Sequence, residues 1–508
     1  MSVAKRQKIV DSAPISERQR IVDSVPQTGF VGHPKGLFTL FFTEFWERFS
    51  YYGMKAILVF YLYYEVSKGG LGIDQSLALS ITSIYGSLVY MSGIIGGWFA
   101  DRIFGPSKAV FYGGILIMSG HIALAIPGSF TMFIISMVLI VLGTGLLKPN
   151  VSTIVGEMYS ESDERRDAGF TIFYMGINMG AFLSPLIVGS LMKQSFHLGF
   201  GVAAVGMFLG LVMFVLSKKK NLGLAGTNIP NPLSPTEKTK VFTMMGIGVA
   251  IVAILCAVLI PMGILTFTSV INLVTILGII IPTSYFIVMY RSPKTTAVER
   301  SRLLAYIPLF IAAVMFWAIQ EQGSTILATY ADNRTQLNFA GLEISPAWFQ
   351  SLNPLFIITF APLFAWMWVK LGKRQPTVPQ KFALSLLLAG ISFIVILLPA
   401  AIGGTDSLVN PLWLVLSILV CVFGELLLSP VGLSATSKLA PAAFSAQIMS
   451  LWFLASAAAQ ALNAQLVKFY SPETETAYFG TIGGASIVLG IILFVLAPKI
   501  QEFMKGVK

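Results

Sequence analysis

Residues 43–55 read TEFWERFSYYGMK and place Glu44, Glu47, Arg48 and Lys55 inside a run that otherwise reads as a membrane-spanning helix. At 3.6 residues per turn, Glu44 and Arg48 stand four apart, Glu44 and Glu47 three apart, and Arg48, Tyr51 and Lys55 continue one stripe. An ionised side chain at the bilayer centre costs about 3 kcal/mol or more, so such a stripe pairs internally or lines a wet pathway. Arginine stays charged at cellular pH, whereas a carboxyl in a partly dehydrated site takes up a proton near neutrality. Two glutamates and one arginine on a single face have the chemistry of a proton switch; a structural salt-bridge cluster would use the same residues.

Three further charges fall within apolar runs: Lys148, Glu321 and Glu425. Counting about 1.5 Å per residue puts Lys55 and Glu321 in one half of the membrane and Lys148 and Glu425 in the middle or opposite half. Two candidate pairs follow, Lys55 with Glu321 and Lys148 with Glu425, each joining the N-terminal half of the chain to the C-terminal half. For Lys148 alone, a lysine snorkelling toward the nearer surface is the competing reading.

The elements that must position these residues follow from composition. Of 508 residues, 55% are hydrophobic and 11% charged, and apolar runs of membrane-spanning length recur with short polar gaps, the pattern of a polytopic membrane protein. The spacing predicts an all-α membrane protein with fourteen spans. Residues 1–36 form a disordered basic tail and 37–217 a six-helix bundle. A linker with two extra spans occupies 218–302, a second six-helix bundle 303–500, and a short tail 501–508. The tail holds a near-repeat, RQKIVDSAP then RQRIVDSVP, and no apolar core of a removable signal peptide. Apart from Arg48, Lys55 and Lys148, and Lys68, Lys193, Arg334 and Lys468 on one set of loops, every Lys and Arg falls on the opposite set. Both termini are thereby expected to be cytoplasmic.

The same composition excludes several classes. The net charge of +11 is largely this topology signal, and no basic run is interleaved with aromatics as a nucleic-acid groove requires. Two cysteines in apolar runs and three scattered histidines argue against a metal centre, a disulfide framework or a nucleophilic enzyme.

GGWFADRIFG (96–105), after the second span, resembles the cytoplasmic loop motif of the major facilitator superfamily, in which the acid caps a neighbouring helix and the basic residue holds two helices. TEFWERFSYYG resembles the E-x-x-E-R-F-x-Y-Y-G signature of the proton-dependent oligopeptide transporter family. GTGLLKPNVSTIVGEMY (143–159) with DERRDAGFTIFYMGINMGAF (163–182), FWAIQEQGS (316–324) and GELLLSPVGLS (424–434) look like its further signatures. The likeness runs from about residue 37 to 500 and is to bacterial members.

That resemblance implies a symporter of di- and tripeptides in the bacterial plasma membrane, using protons as the coupling ion and no cofactor, with lipid as its surroundings and no nucleic-acid partner. By motif, Arg48 and Lys148 would meet the peptide carboxylate, and Glu425, Asn178 and Asn353 its amino end. Tyr51, Tyr52, Tyr90, Trp317, Trp452 and Phe453 would line side-chain pockets, with Ser429 one turn beyond Glu425. Glu44, Glu47, Arg48 and Glu321 would couple the proton, and Lys55–Glu321 and Lys148–Glu425 would be the gates. Two positions depart from the pattern: Lys55 stands where arginine is usual, a point charge in place of a planar fork, and Ser83 where animal members carry histidine.

Overall fold

The computed structural model describes residues 17–127, 130–160, 162–339, 341–405 and 407–507. Apolar segments in lipid must satisfy their backbone groups internally; among the described residues there are fourteen helices of twenty residues or more. The first eight are α1 (Lys35–Tyr63), α2 (Gln75–Phe99), α3 (Pro106–Ala125), α4 (Phe130–Glu157), α5 (Arg166–Met192), α6 (Phe196–Asn221), α7 (Pro235–Leu259) and α8 (Phe267–Arg291). Six more follow: α9 (Ala297–Gln320), α10 (Leu352–Leu371), α11 (Val378–Gly403), α12 (Leu412–Leu439), α13 (Ser445–Leu466) and α14 (Glu475–Phe503).

Twelve helices are long and apolar enough to cross a membrane; α1 and α13 are not among them. The reason is composition. Every 18-residue stretch of α1 holds at least three of its charges, and α13 interrupts its alanines with Gln460, Asn463 and Gln465. Both are enclosed by other helices, α1 by α5 and α6, and α13 by α2, α8 and α9. α7 buries none of its residues, as expected of a helix facing lipid on all sides.

In the first half α3 packs along α4, α2 along α4, and α1 against α5 and α6; in the second α11 packs along α12 and α14, and α9 along α13. The halves meet where α2 lies on α13 and where α5 meets α10 and the Pro346–Ser351 turn that leads into it. Small residues set the closest approaches, as expected where helices meet in lipid.

Three expectations are corrected. Residues 18–26 of the tail are ordered: Glu17–Ser24 is a helix whose Ile21 and Val22 are buried, and Ile21 and Val25 pack on Val151, Ile154 and Met158 at the end of α4. The spacing i, i+1, i+4 gives that segment one apolar face; its first copy lies outside the described residues. The first span of the bundle expected over 303–500 is broken, because α9 ends at Gln320 and the chain runs through the tight turn Glu321–Ser324 before the short helix Ile326–Asn333. The Asp101 and Arg102 side chains do not cap or clamp. Asp101 is exposed, and it is the backbone carbonyls of the pair that accept, from Asn231 N at 2.9 Å and Leu233 N at 3.1 Å, tying the loop to the connection before α7.

In that same motif the glycines separate by function. A Cβ on Gly96 would stand 1.9 Å from the Gly145 carbonyl oxygen, backbone against backbone, whereas a Cβ on Gly97 would meet nothing. Gly96→Ala is expected to cost about 1–3 kcal/mol in overpacking and Gly97→Ala close to nothing. Melting temperatures of the two detergent-solubilised variants check this, and equal values would show that the α2–α4 crossing yields.

Candidate functional site

Where the halves meet there is a cavity of about 320 Å³. The helical period brings the α1 stripe to it: Glu44, Arg48, Tyr51, Tyr52 and Lys55 all reach its wall. Tyr90 of α2, Lys148 of α4 and Asn178 of α5 add to the first half's share. The second half supplies Trp317 and Glu321 from the end of α9, Asn353 from α10 and Glu425 from α12.

Arg48 Nε contacts Glu44 Oε1 at 3.2 Å and Glu47 Oε2 more closely, with all three side chains almost fully buried. The guanidinium also stands 5.3 Å and 5.9 Å from the ring centres of Tyr51 and Tyr52, where cation–π attraction adds to the ion pairs. Glu44 Oε2, Glu47 Oε1, Arg48 Nη2 and Trp317 Nε1 are buried and make no hydrogen bond. A buried polar atom left this way costs about 1–3 kcal/mol and more when charged, so the site keeps capacity for a polar occupant.

Lys55 Nζ and Glu321 Oε2 form the expected pair at 2.9 Å. Glu321 is also held by two residues of other helices: Tyr90 Oη donates to Oε1 at 3.0 Å and Gln460 Nε2 to Oε2 at 2.6 Å. Beyond this pair, Tyr63 and Tyr64 donate to the two oxygens of Asp332 at 2.6 Å and 2.7 Å, joining the end of α1 to the short helix after α9.

The second expected pair is not formed. Glu425 Oε2 accepts from Gln320 at 2.8 Å and Asn353 at 2.9 Å, while Lys148 Nζ stands over the Tyr90 ring, 4.7 Å from its centre. The cation and the acid both face the cavity but hold separate partners. Of the two candidate pairs across the halves, one is formed and the other is not.

Four expected residues lie off the wall. Glu47 is fully buried behind Arg48, Ser429 is half-buried elsewhere on α12, and Phe453 is 45% exposed. Trp452 is buried with its ring against Gly432 and Phe382, where it fills the space that the missing side chain of Gly432 leaves. Sequence reasoning missed Tyr174, Gln320 and Gln350, which do line the cavity, as well as Gln460 and the Tyr63–Tyr64–Asp332 contact. Gln320, Gln350 and Gln460 had a signal, being amides beside or within apolar helices, where an unsatisfied amide is costly.

Helices long enough to cross a membrane, gathered round a charged and aromatic-walled cavity with an ion pair across its two halves, are the frame of a membrane transporter. Residues 107–485 match the POT family. The transporter YclF of Bacillus subtilis (strain 168) is 64% identical over 95% of this chain and 97% of its own. The di-/tripeptide transporter of Lactococcus lactis subsp. cremoris is 46% identical over 94% and 98%. The crystal structure of a peptide transporter POT in complex with sulfate superposes with a TM-score of 0.95 at 72% identity, covering 97% of this chain and all of that one. A POT family transporter in complex with a thioalcohol-conjugated peptide gives 0.91 at 49% identity, over 94% and 99%. The chain belongs to the POT family.

Removing one partner of a buried ion pair costs about 3–5 kcal/mol. Lys55→Ala combined with Asp332→Asn is therefore expected to loosen the contact between the halves. Ser324, only 6% exposed on the cavity wall, supplies the reporter: Ser324→Cys is expected to react with a water-soluble maleimide on the order of tenfold faster in that background. An unchanged labelling rate would show that these contacts do not restrict access to Ser324.

Proposed function

We propose that this protein is a proton-coupled symporter that imports di- and tripeptides across the plasma membrane by alternating access. The observation that carries the reading is the polarity of the cavity. The first half contributes Arg48 and Lys148 to its wall and the second half Glu425 and Asn353, with Tyr and Trp rings among them. A zwitterionic peptide needs opposite charges at its two ends and little discrimination of its side chains. Arg48 Nη2 has no hydrogen-bond partner among the described residues and would receive the peptide carboxylate with Lys148, while Glu425, with Asn178 and Asn353, would receive the amino end. Relatives described as di-/tripeptide transporters support the substrate class.

In this reading the fourteen helices are two six-helix bundles with α7 and α8 between them, and both termini are cytoplasmic. The formed Lys55–Glu321 pair is then the outer gate and the separated Lys148 and Glu425 an open inner gate, the inward-facing arrangement. Protonation of Glu321 would weaken its hold on Lys55, and Glu44 and Glu47 would take up a proton beside Arg48. One charge moved through about 100 mV supplies about 2.3 kcal/mol, enough for roughly fifty-fold accumulation.

Purified protein in liposomes, given an inward proton gradient and a negative interior, is expected to accumulate labelled dialanine until a protonophore collapses the gradient. Glu47→Gln is expected to abolish driven uptake and to retain dialanine exchange. Binding without accumulation by the wild type would make the protein a receptor, and full driven uptake by Glu47→Gln would remove that residue from coupling.

A further inference from the structure

A second cavity, of about 880 Å³, opens between the ends of α10, α11 and α12. Gln501, two residues before the end of α14, lines it too, so it lies at the end of the molecule where the chain terminates. Its polar side is made by Lys373, Lys381 and Lys438, and no Asp or Glu lines it. Gln375, Thr377, Ser434 and Gln501 add uncharged polar groups, and Phe364, Trp368 and Leu426 are among the apolar wall residues.

Lys381 is the informative residue. It is 8% exposed, its Nζ donates to Gln375 Oε1 at 2.8 Å, and it sits 4.1 Å from the Trp368 ring centre. A neutral amide and a ring face do not neutralise an ammonium group, which carries three donors. Among the described residues neither Lys381 nor Lys373 is in an ion pair. Burying a cation without a counter-charge is costly, and an anion from outside the chain would offset that cost. Immediately beside the cavity α10 presents its apolar side outward: Leu363, Trp366 and Val369 are 51%, 58% and 83% exposed.

We infer that this cavity is a binding site for an anionic phosphate group, supplied by the head of an acidic phospholipid whose chains lie along α10. Basic pockets between membrane helices bind acidic head groups in this way, and the volume falls within the range of small-ligand sites, about 300–1,000 Å³. Lys381 and Lys373 would meet the phosphate oxygens, Lys438 would add to the field, and the Phe364–Trp368 side would receive the glycerol and the first methylenes.

The test uses full-length protein in an uncharged detergent, with its unfolding temperature followed during titration with dihexanoyl phosphatidylglycerol, dihexanoyl phosphatidylcholine or glycerol 3-phosphate. The phosphatidylglycerol is expected to raise the temperature and the phosphatidylcholine to leave it unchanged. The combined variant Lys373→Gln, Lys381→Gln, Lys438→Gln is expected to need at least about tenfold more phosphatidylglycerol for the same rise. Lys373→Arg, Lys381→Arg, Lys438→Arg keeps the charge and is expected to respond as the wild type does, which separates a lost site from a misfolded variant. An equal response of the Gln variant, no response of the wild type, or an equal response to phosphatidylcholine would overturn the site. A rise with glycerol 3-phosphate as large as with the lipid would overturn the lipid as the source of the phosphate.

Discussion

The structure is organised around keeping one guanidinium charged inside a membrane. Arg48 cannot shed its proton, so every neighbour is arranged about that fact: Glu44 and Glu47 on its own helix, two tyrosine rings beside it, and α5 and α6 packed around the rest of α1. Gly180 allows this packing, since a Cβ there would stand 2.4 Å from the Phe45 carbonyl oxygen and 3.1 Å from the Arg48 Cβ. A buried charge with imperfect partners is unfavourable for stability and is retained in membrane helices for function. Glu44 Oε2 and Arg48 Nη2, on residues of the cavity wall and without a hydrogen-bond partner among the described residues, leave the cavity capacity for a charged occupant.

That logic explains what could be read in advance. The α1 stripe was legible because the same four charges that disqualify α1 as an apolar span must face protein or water, and a helix allows only one such face. The Lys55–Glu321 pair was legible because both residues count to the same depth and carry opposite charge. Twelve of the fourteen expected spans are, among the described residues, helices apolar enough to cross a membrane; α1 and α13 are helical but fall short on composition, α13 being held by burial and by amide hydrogen bonds.

The rest was not legible for identifiable reasons. Lys148 and Glu425 were expected to pair because their charges and depths match, but complementarity says only that two groups can meet, and the conformation decides whether they do. Trp452 and Phe453 sit on a helix whose rotation is set by its packing on α2, α8 and α9, which no sequence period reveals. The Asp101–Arg102 motif suggested side-chain bonds, yet the loop satisfies its backbone carbonyls instead, and main-chain pairing leaves no trace in residue type. The helix at Glu17–Ser24 was hidden by its polar composition: three apolar residues suffice once α4 provides a surface for them.

The two sets of contacts are not independent. Gln320 and Glu321 are neighbours at the point where α9 gives way to a tight turn, and Gln320 holds Glu425 while Glu321 holds Lys55. Tyr90 adds a second link, since its hydroxyl donates to Glu321 and its ring lies beneath the Lys148 ammonium. Turns of this type use strained i→i+3 bonds and often mark hinges within longer helices. The Glu321–Lys55 pair thus adjoins the two residues, Gln320 and Tyr90, that contact Glu425 and Lys148. The two sets of contacts are therefore linked directly, through one broken helix and one tyrosine that touch both.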